Sequence, residues 1–384
     1  MYKKILLLLI IFTLTGCYDH KELNEIAILT ATEINKIDDE FVVYTQVVNP
    51  QSSDTVNVQA PYIIYEGKGK TIQEAYRQIK LQSSRFLYPN HLQIIVIDED
   101  LAKEDISQIV DFYLRVPHVR TEFSVIIGKE NDILSITTPI DDISATSIVE
   151  TMKTNNKYLG STSLVTFNEF ANMNMNKNLE VIIPSIESVN YNKESQTTEN
   201  TENTEIKSMY KLSNLAVFKD SKLLGYLTED ESITYNVLKN KVKTTLLTYE
   251  CEKEKYITVE ITKMKSDIST KNKEINIKLK MSGNINEKMC NISLKEEKNI
   301  HKLEKELETY LKNEINKNIT NIRNKYNSDI FGFLDLIYKT DYKTYKEIKD
   351  TWYKDTYKNL KINLSLSIDI IGKGNIVEGN NEKN

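Results

Sequence analysis

Hydrophobic and polar residues alternate in three stretches of the C-terminal half of the chain. The period is two residues over 257–262, 275–281 and 360–370. Because successive side chains of a strand point to opposite faces, these stretches predict long antiparallel strands with one solvated face. Apolar residues at helical spacing over 300–322 predict a long helix that covers the apolar face of this sheet.

The N-terminal half alternates short apolar runs with amphipathic helical periods. Runs rich in β-branched residues predict strands, and apolar residues three and four positions apart predict helices. The predicted order is strands at 26–34, 41–48 and 62–66, a helix at 72–85, a strand at 92–97, a helix at 106–114, a strand at 123–127, helices at 142–153 and 166–173, and a strand at 179–189. Pro184 makes the last of these an expected edge strand, because proline lacks the N–H that a central strand donates.

A polar segment interrupts this pattern and predicts how the chain divides. Residues 190–205 contain a single apolar residue, Tyr191, and such a composition is typical of a linker. We expect a signal peptide at 1–16, an N-terminal α+β domain at 17–137, a small second domain at 138–190, the linker at 191–207, a C-terminal α+β domain at 208–372 and a disordered tail at 373–384. The predicted fold class is therefore α+β with several domains, in which helices surround each β-sheet.

The N-terminal residues combine a basic start, an apolar run and a cysteine. Two lysines precede the apolar run over 5–14, and Leu14-Thr15-Gly16-Cys17 follows. Such a segment is a secretory signal peptide of the bacterial lipoprotein type, and it is too short for a transmembrane helix, which needs about 20 residues. We expect the thiol of Cys17 to carry diacylglycerol, whose two acyl chains suffice for stable anchoring in the membrane. The alternatives are an ordinary signal peptide with a chance cysteine, or an uncleaved anchor.

Composition narrows the class of the remaining body. The chain is 27% charged and 40% hydrophobic, with a formal net charge of −5. These values are typical of a globular protein rather than a disordered one. A mildly acidic chain gives no reason to expect a nucleic-acid partner, because such proteins usually carry a basic patch.

Two further cysteines, Cys251 and Cys290, follow the lipobox cysteine. They could form a disulfide, because the expected compartment lies outside the cytosol. One pair in so long a chain is no disulfide framework, however, and we favour two small buried hydrophobic residues.

No motif for catalysis, cofactor binding or metal binding occurs in the sequence. None of the four histidines stands at metal-ligand spacing, and no zinc-protease, nucleophile-elbow or dinucleotide-binding motif is found. Gly67-Lys68-Gly69-Lys70-Thr71 resembles part of a phosphate loop, but Ile64 occupies the position of the first glycine. A glycine turn with Thr71 as helix N-cap is the favoured interpretation. We therefore predict no catalytic, cofactor or metal site and no enzyme activity.

His118 lies between Arg115 and Arg120, and this basic cluster could bind an anion. A solvated helix end is the favoured interpretation of these three residues.

Several segments at and after Leu14-Thr15-Gly16-Cys17, the lipobox, occur in the same order as in a known family. They are Gly16 to Ala27, Asn90-His91-Leu92 with 94–97, Phe112 to Arg115, 215–220 with 223–227, Asp329 to Phe333, and Trp352. With these segments the chain resembles the Ger(x)C (GerAC-type) spore germination lipoproteins from Cys17 to about Gly372. Tyr18 and His20 depart from the Trp and the basic residue that are usual in the family.

The resemblance implies three domains, each a β-sheet with surrounding helices, on the extracytoplasmic face of the spore's inner membrane. It implies a C subunit of a nutrient germinant receptor, which assembles with an A subunit and a transporter-like B subunit and has no known enzymatic activity. Whether this subunit binds a small-molecule germinant stays open. Only Cys17 carries over as a functional residue. For Asp329, a helix cap and simple packing are alternatives, and packing is favoured.

A substrate-binding lipoprotein of an importer is the alternative function. Such proteins usually have two doubly wound lobes, and the long alternating strands near the C-terminus speak against that architecture. A cell-envelope enzyme is a third candidate, against which the absent motifs count.

Overall fold

The computed structural model describes residues 25–49, 60–116, 119–130, 132–138, 141–197 and 209–373, together with Glu22 and Asn200. The predicted signal peptide, Cys17 and the tail from residue 374 onward lie outside the described residues. Within the described ranges the chain forms two mixed β-sheets with helices packed against them, so the α+β fold class is confirmed.

The first sheet has nine strands, with parallel strands at its centre. Its strands are β1 (Ile26–Ile37), β2 (Glu40–Val48), β3 (Tyr62–Gly69), β4 (Phe86–Tyr88), β5 (Ile94–Asp98), β6 (Ser124–Gly128), β7 (Ile182–Val189), β8 (Met209–Lys219) and β9 (Lys222–Tyr226). Strands β1, β5, β6 and β7 are parallel neighbours, and β4 pairs with the beginning of β1. Strands β2 and β3 extend the sheet antiparallel on one side, and β8 and β9 do so on the other.

Helices cover both faces of the first sheet. They are α1 (Ile72–Ile79), α2 (Glu99–Glu104), α3 (Ser107–Arg115), α4 (Ser144–Tyr158) and α5 (Phe167–Met175). Alternate residues of β5 face two cores: Ile95 and Ile97 pack with α1, α2, α3 and α5, whereas Ile94 and Val96 pack with α4. Every residue of β5 is buried, which explains why its sequence is a continuous apolar run without alternation.

The expectation that the strand with Pro184 lies at a sheet edge is wrong. Strand β7 pairs with β6 on one side and β8 on the other. The pairing with β8 shifts register between Ile183 and Ser185, and the pairing with β6 begins only at Ser185. Proline is tolerated inside the sheet because it sits at this bulge, where no ladder hydrogen bond from its nitrogen is needed.

The second sheet has four long strands and one extensive helical cover. Its strands are β10 (Thr245–Glu252), β11 (Lys255–Lys271), β12 (Glu274–Lys288) and β13 (Ile362–Gly372), and its helices are α6 (Glu229–Leu238), α7 (Glu297–Tyr326), α8 (Phe333–Thr340), α9 (Tyr342–Ile348) and α10 (Tyr357–Asn359). Shorter 3₁₀ turns occupy Pro89–His91, Ile133–Ser135, Lys193–Gln196 and Lys349–Thr351, and a π-helical turn occupies Trp352–Thr356. The predicted long helix over the apolar face is confirmed, because α7 shares one core with the inward residues of β11 and β12.

One strand direction in this sheet differs from the expectation. Strands β10, β11 and β12 are antiparallel as predicted, but β13 runs parallel to β12 from Ile275↔Ile362 onward. The helical segment between β12 and β13 crosses the sheet and returns the chain to the end at which β12 began. A crossover of this kind produces parallel pairing, whereas alternation of side chains is the same for both directions.

The first sheet continues past the segment that was predicted as a linker. Strands β8 and β9 follow this segment in sequence, yet they pair next to β7 in the first sheet. The described part of the segment packs against the preceding loop, where the N–H of Thr137 donates to the carbonyl of Ser195 at 2.9 Å. Helices α4 and α5 and strand β7, from the predicted second domain, likewise pack on or in this sheet. The division into domains stays a prediction about folding units.

Cys251 and Cys290 form a disulfide, with their Cα atoms 6.3 Å apart. The favoured expectation of two unpaired thiols was therefore wrong. The bond joins the end of β10 to the segment after β12, across the intervening β11. Sequence spacing could not reveal this pairing, because the two cysteines are 39 residues apart and only the hairpin of β11 and β12 between them brings them side by side.

Candidate functional site

Cys17, the predicted site of lipid attachment, lies outside the described residues, but its distance along the chain to β1 is short. Ile26, the first residue of β1, follows it by nine positions. An extended chain of nine residues spans at most about 30 Å. Any group attached to Cys17 is therefore held within that distance of the beginning of β1.

The glycines of the phosphate-loop-like segment serve close packing between β3 and α1. A Cβ atom on Gly67 would lie 2.1 Å from the carbonyl oxygen of Ala75, and one on Gly69 would lie 2.7 Å from the Cβ of Glu74. Thr71 caps α1 by accepting the N–H of Glu74, as predicted. The Glu74 carboxylate accepts the N–H of Lys70 at 2.8 Å, so a carboxylate occupies the anion position of this loop. A second anion there would be repelled, which disfavours the nucleotide-binding alternative.

Arg115 is partnered within its own helix. Its Nε donates to Asp111 at 2.8 Å, and both side chains are exposed. His118 lies outside the described residues, and Arg120 is an exposed residue in the loop before β6. These observations agree with the interpretation of a solvated helix end.

Asp329 caps α8 from a fully buried position. Its carboxylate accepts the N–H of Phe333 at 3.1 Å and of Leu334 at 2.8 Å. Burial raises the pKa of this carboxyl to about 6, although both N–H groups act in the opposite direction. Gly332 adopts a φ of +70°, which allows the chain to turn between the aspartate and the helix. The helix-cap alternative is thus confirmed, and packing alone is not the whole role of this residue.

A network of partly buried hydrogen bonds joins the two sheets. The hydroxyl of Tyr353 donates to Glu180 at 2.7 Å, and Lys219 donates to the carbonyl of Asn327 at 2.9 Å. Ser328 donates through its hydroxyl to the carbonyl of Phe218 at 2.6 Å. Each bond connects the segment after α7 with β8 or with the chain entering β7. These bonds therefore link the two sheets.

A cleft of about 1430 Å³ lies on the face of the first sheet between α1 and α3. Most of its lining is apolar, and two of its aromatic rings, those of Tyr76 and Phe112, stack on each other with centroids 5.5 Å apart. Its lining includes Ile26, Leu29, Phe41, Phe86, Leu87, Tyr88, Pro89, Leu92, Val116 and Val119. The residues come from five separate segments, so no local pattern in the sequence indicated the cleft.

Three hydroxyl groups form a hydrogen-bonded chain that includes two residues of the cleft lining, Tyr76 and Tyr113. Thr32 lies 2.8 Å from the hydroxyl of Tyr76, which lies 2.9 Å from the hydroxyl of Tyr113. Burial raises the pKa of Tyr76 to about 12, so these groups are neutral at physiological pH. Because the three groups bond one another, they satisfy their own polarity and leave the cleft predominantly apolar.

Within the described ranges, no group of three or more His, Cys, Asp or Glu side chains is placed to hold a metal ion. Among the helices of the same part of the chain, none is both long and apolar enough to cross a bilayer.

Comparison with known proteins matches both halves of the chain to one kind of protein. The family model described as "Spore germination protein N-terminal domain" matches residues 19–188, and "Spore germination B3/ GerAC like, C-terminal" matches 213–374. The chain belongs to the GerAC-type family of spore germination proteins. The resemblance noted in the sequence is thus confirmed.

Individual relatives extend over almost the whole GerAC-type chain. Spore germination protein KC of Bacillus subtilis (strain 168) is 28% identical over 377 residues, which are 94% of this chain and 92% of that protein. The crystal structure of the GerBC protein superposes with a TM-score of 0.52 at 16% identity, over 88% of this chain and 96% of the other. The second comparison shows a shared fold.

Proposed function

We propose that this GerAC-type chain is the lipid-anchored, non-enzymatic C subunit of a spore nutrient germinant receptor. The observation that carries the proposal is the match of both halves of the chain to spore germination families, behind a lipobox at Cys17. The name of the relative from Bacillus subtilis supports a role in germination. The proposed location is the extracytoplasmic face of the spore's inner membrane.

The proposed mechanism is assembly rather than chemistry. Two acyl chains on Cys17 would hold the body at the membrane, and confinement to that layer raises its effective concentration near membrane partners. The hydrogen-bonded junction between the sheets would present both of them to the A and B subunits together. No cofactor takes part in this mechanism.

Mass spectrometry of the N-terminal peptide tests the anchor. We expect the mature chain to begin at Cys17 and to carry the mass of a diacylglyceryl group. An unmodified cysteine, or a mature chain that begins elsewhere, would rule out the anchor.

Affinity purification from detergent-solubilised spore membranes tests the assembly, with a tag placed after Gly372. We expect a transporter-like membrane protein and a second, larger membrane subunit to be recovered with the tagged chain. Recovery of an ATP-driven permease instead would favour the alternative of an importer's substrate-binding lipoprotein.

The variant Cys17→Ala links the anchor to the assembly. We expect it to abolish recovery of both membrane subunits and the germination response, while Ser84→Ala at an exposed loop position leaves them intact. Normal germination of spores with Cys17→Ala would contradict the proposed mechanism.

A further inference from the structure

The cleft between α1 and α3 is larger than a small polar ligand needs. Pockets for drug-sized molecules usually measure about 300–1,000 Å³, and this cleft measures about 1430 Å³. Two of its lining residues, Ile26 on β1 and Phe41 on β2, lie far apart in the sheet. Phe41 pairs with Lys36, which is ten residues further along β1 than Ile26. At about 3.3 Å per residue, the lining residues Ile26 and Phe41 lie up to about 30 Å apart along the strand direction, which exceeds the roughly 15 Å depth of one bilayer leaflet.

The chemistry of the lining fits hydrocarbon. Apolar side chains predominate, and the hydroxyls of Thr32, Tyr76 and Tyr113 already bond one another. An amino acid or a sugar would bury several polar groups, and each needs a hydrogen-bond partner to avoid a large cost. Among the other polar residues of the lining, Thr71, Gln73 and Gln108 are exposed, and the Oδ1 of Asn90 is a buried atom without a hydrogen-bond partner. One such acceptor cannot satisfy the several donors of an amino acid or a sugar, so the cleft favours an apolar chain over a polar germinant.

Charged residues of the lining lie on exposed parts of α1, α3 and the loops beside them. Arg115 pairs with Asp111, and Lys70 pairs with Glu40 at 3.2 Å. Lys80 is exposed and lies over the ring of Phe86, 5.5 Å from its centroid, at the end of the cleft nearest the start of β1. This ammonium group can face an anionic headgroup while the ring below it contacts hydrocarbon.

The same end of the cleft is the part nearest to the expected anchor. Ile26 lines it and follows Cys17 by nine residues, within about 30 Å of extended chain. If Cys17 carries lipid, as proposed above, the cleft opens close to the bilayer surface.

We propose that this cleft binds the acyl chains of an anionic membrane phospholipid, with its headgroup against Lys80. The proposal depends on the proposed anchor only for the source of the lipid, and the cleft itself is a property of the folded body.

Native mass spectrometry of the full-length protein, purified in detergent, tests the binding. The probe is dioleoylphosphatidylglycerol, added in increasing amounts. We expect one phospholipid per chain on the wild-type protein, and Val116→Trp, which fills the cleft, to weaken its retention about tenfold or more. Leu114→Trp is the matched control, because Leu114 is 49% exposed on the same helix and does not line the cleft.

Val119→Trp is a second cleft-filling variant in case Val116→Trp does not fold, and far-UV circular dichroism checks both. Equal retention by the cleft-filled variants and Leu114→Trp would overturn the proposal. So would a wild-type protein that takes up no phospholipid, as expected if the chain before Ile26 or a partner subunit fills the cleft.

The headgroup is tested separately with dioleoylphosphatidylcholine as the zwitterionic competitor. We expect Lys80→Glu to remove the preference for phosphatidylglycerol, and Lys312→Glu, at an exposed position on α7, to retain it. Unchanged preference in Lys80→Glu would refute the assignment of the headgroup. Failure of phospholipid binding leaves subunit recovery in the affinity purification unaffected, so the two proposals fail independently.

Discussion

Buried carboxylates determine how this fold responds to pH. Glu33 on β1 is 1% exposed, and its carboxylate accepts the N–H of Asp132 at 3.1 Å and of Leu134 at 3.4 Å. Burial raises its pKa from 4.5 to about 8, and the nearby charges of Asp132 and Asp98 act in the same direction. Burial likewise raises the pKa of Glu180 to about 7. The native state therefore holds protons at neutral pH that the unfolded chain releases.

The variant Glu33→Gln tests this linkage. The native state keeps the Glu33 proton up to about pH 8, whereas the unfolded state loses it near 4.5. The free energy of unfolding is therefore expected to fall as pH rises through this window, by at most about 1.4 kcal/mol per pH unit from this group. We expect Glu33→Gln to flatten the slope measured by urea denaturation between pH 5 and pH 8.

Glu150→Gln is the control for this comparison, because Glu150 is an exposed partner of Lys153. A slope in Glu33→Gln as steep as that of the control would show that Glu33 is ionised in the native state.

Gly67→Ala tests the close approach of β3 and α1. An added Cβ would meet the Ala75 carbonyl oxygen at 2.1 Å and Ile79 at 2.7 Å, so the helix must move away from the strand. We expect the free energy of unfolding to drop by about 1–3 kcal/mol in chemical denaturation, a typical cost of overpacking. Gln73→Ala, an exposed change on the same helix, should have little effect. Full stability of Gly67→Ala would argue against a packing role for this glycine.

Helix α7 covers part of the edge of the second sheet that β13 forms. Strand β13 ends the sheet, and the carboxylates of Glu308 and Glu304 on α7 accept the N–H groups of Ile368 and Ile370 at 3.1 and 2.8 Å. Covered N–H groups cannot pair with a strand of another chain. The long helix thus supplies both the apolar cover of the sheet and partners for part of its edge.

The disulfide between β10 and the segment after β12 is expected to stabilise this sheet. The bond closes a loop with a sequence separation of 39 residues. In the chain-entropy description, removing such a cross-link costs about 3–4 kcal/mol. We expect the double variant Cys251→Ala, Cys290→Ala to unfold at lower denaturant concentration, and a reductant to shift the wild-type protein to the same midpoint. A reductant that leaves the wild-type midpoint unchanged would indicate that the thiols are unpaired in solution.

The two sheets meet through a shared apolar core and through partly buried polar contacts. Tyr353 donates to Glu180 and accepts the N–H of Asp329 at 3.4 Å, which ties the π-helical turn after α9 to both halves of the chain. Lys239 adds a bond from its ammonium group to the carbonyl of Phe331 at 3.1 Å. Burial lowers the pKa of this lysine, while Asp329 acts in the opposite direction.

Tyr353→Phe is expected to lower the stability of both sheets. The change removes one hydroxyl and leaves the partly exposed Glu180 with the N–H of Asp220 as a remaining donor, so we expect a cost of about 0.5–1.5 kcal/mol. Hydrogen exchange then should show reduced protection in both β5 and β12, since coupled sheets open together. The exposed Tyr342→Phe is the control. Loss of protection in only one sheet would mean that the junction does not couple them.

Local patterns predicted much of the secondary structure and none of the cleft. The alternation around Ile257 and the helical stripe from Ile300 are local properties. The period of a strand or a helix fixes the direction in which each side chain points, so neighbouring residues are enough to predict it. Likewise, Thr166 and Glu169 predict a capping box that begins α5, and the structure contains it. The cleft combines five segments, and only the tertiary structure decides which of them meet.

The sequence by itself determined many of the elements and their buried faces, the α+β class and the family, since each depends on residues close together or on their order along the chain. Only the tertiary structure decided the direction of β13, the interior place of β7, the union of β8 and β9 with the first sheet, and the pairing of Cys251 with Cys290. These features depend on the path of crossovers and on contacts between distant segments. The side-chain pattern of a strand is the same whichever strand it pairs with. Its partner is therefore fixed by the packing of the whole chain.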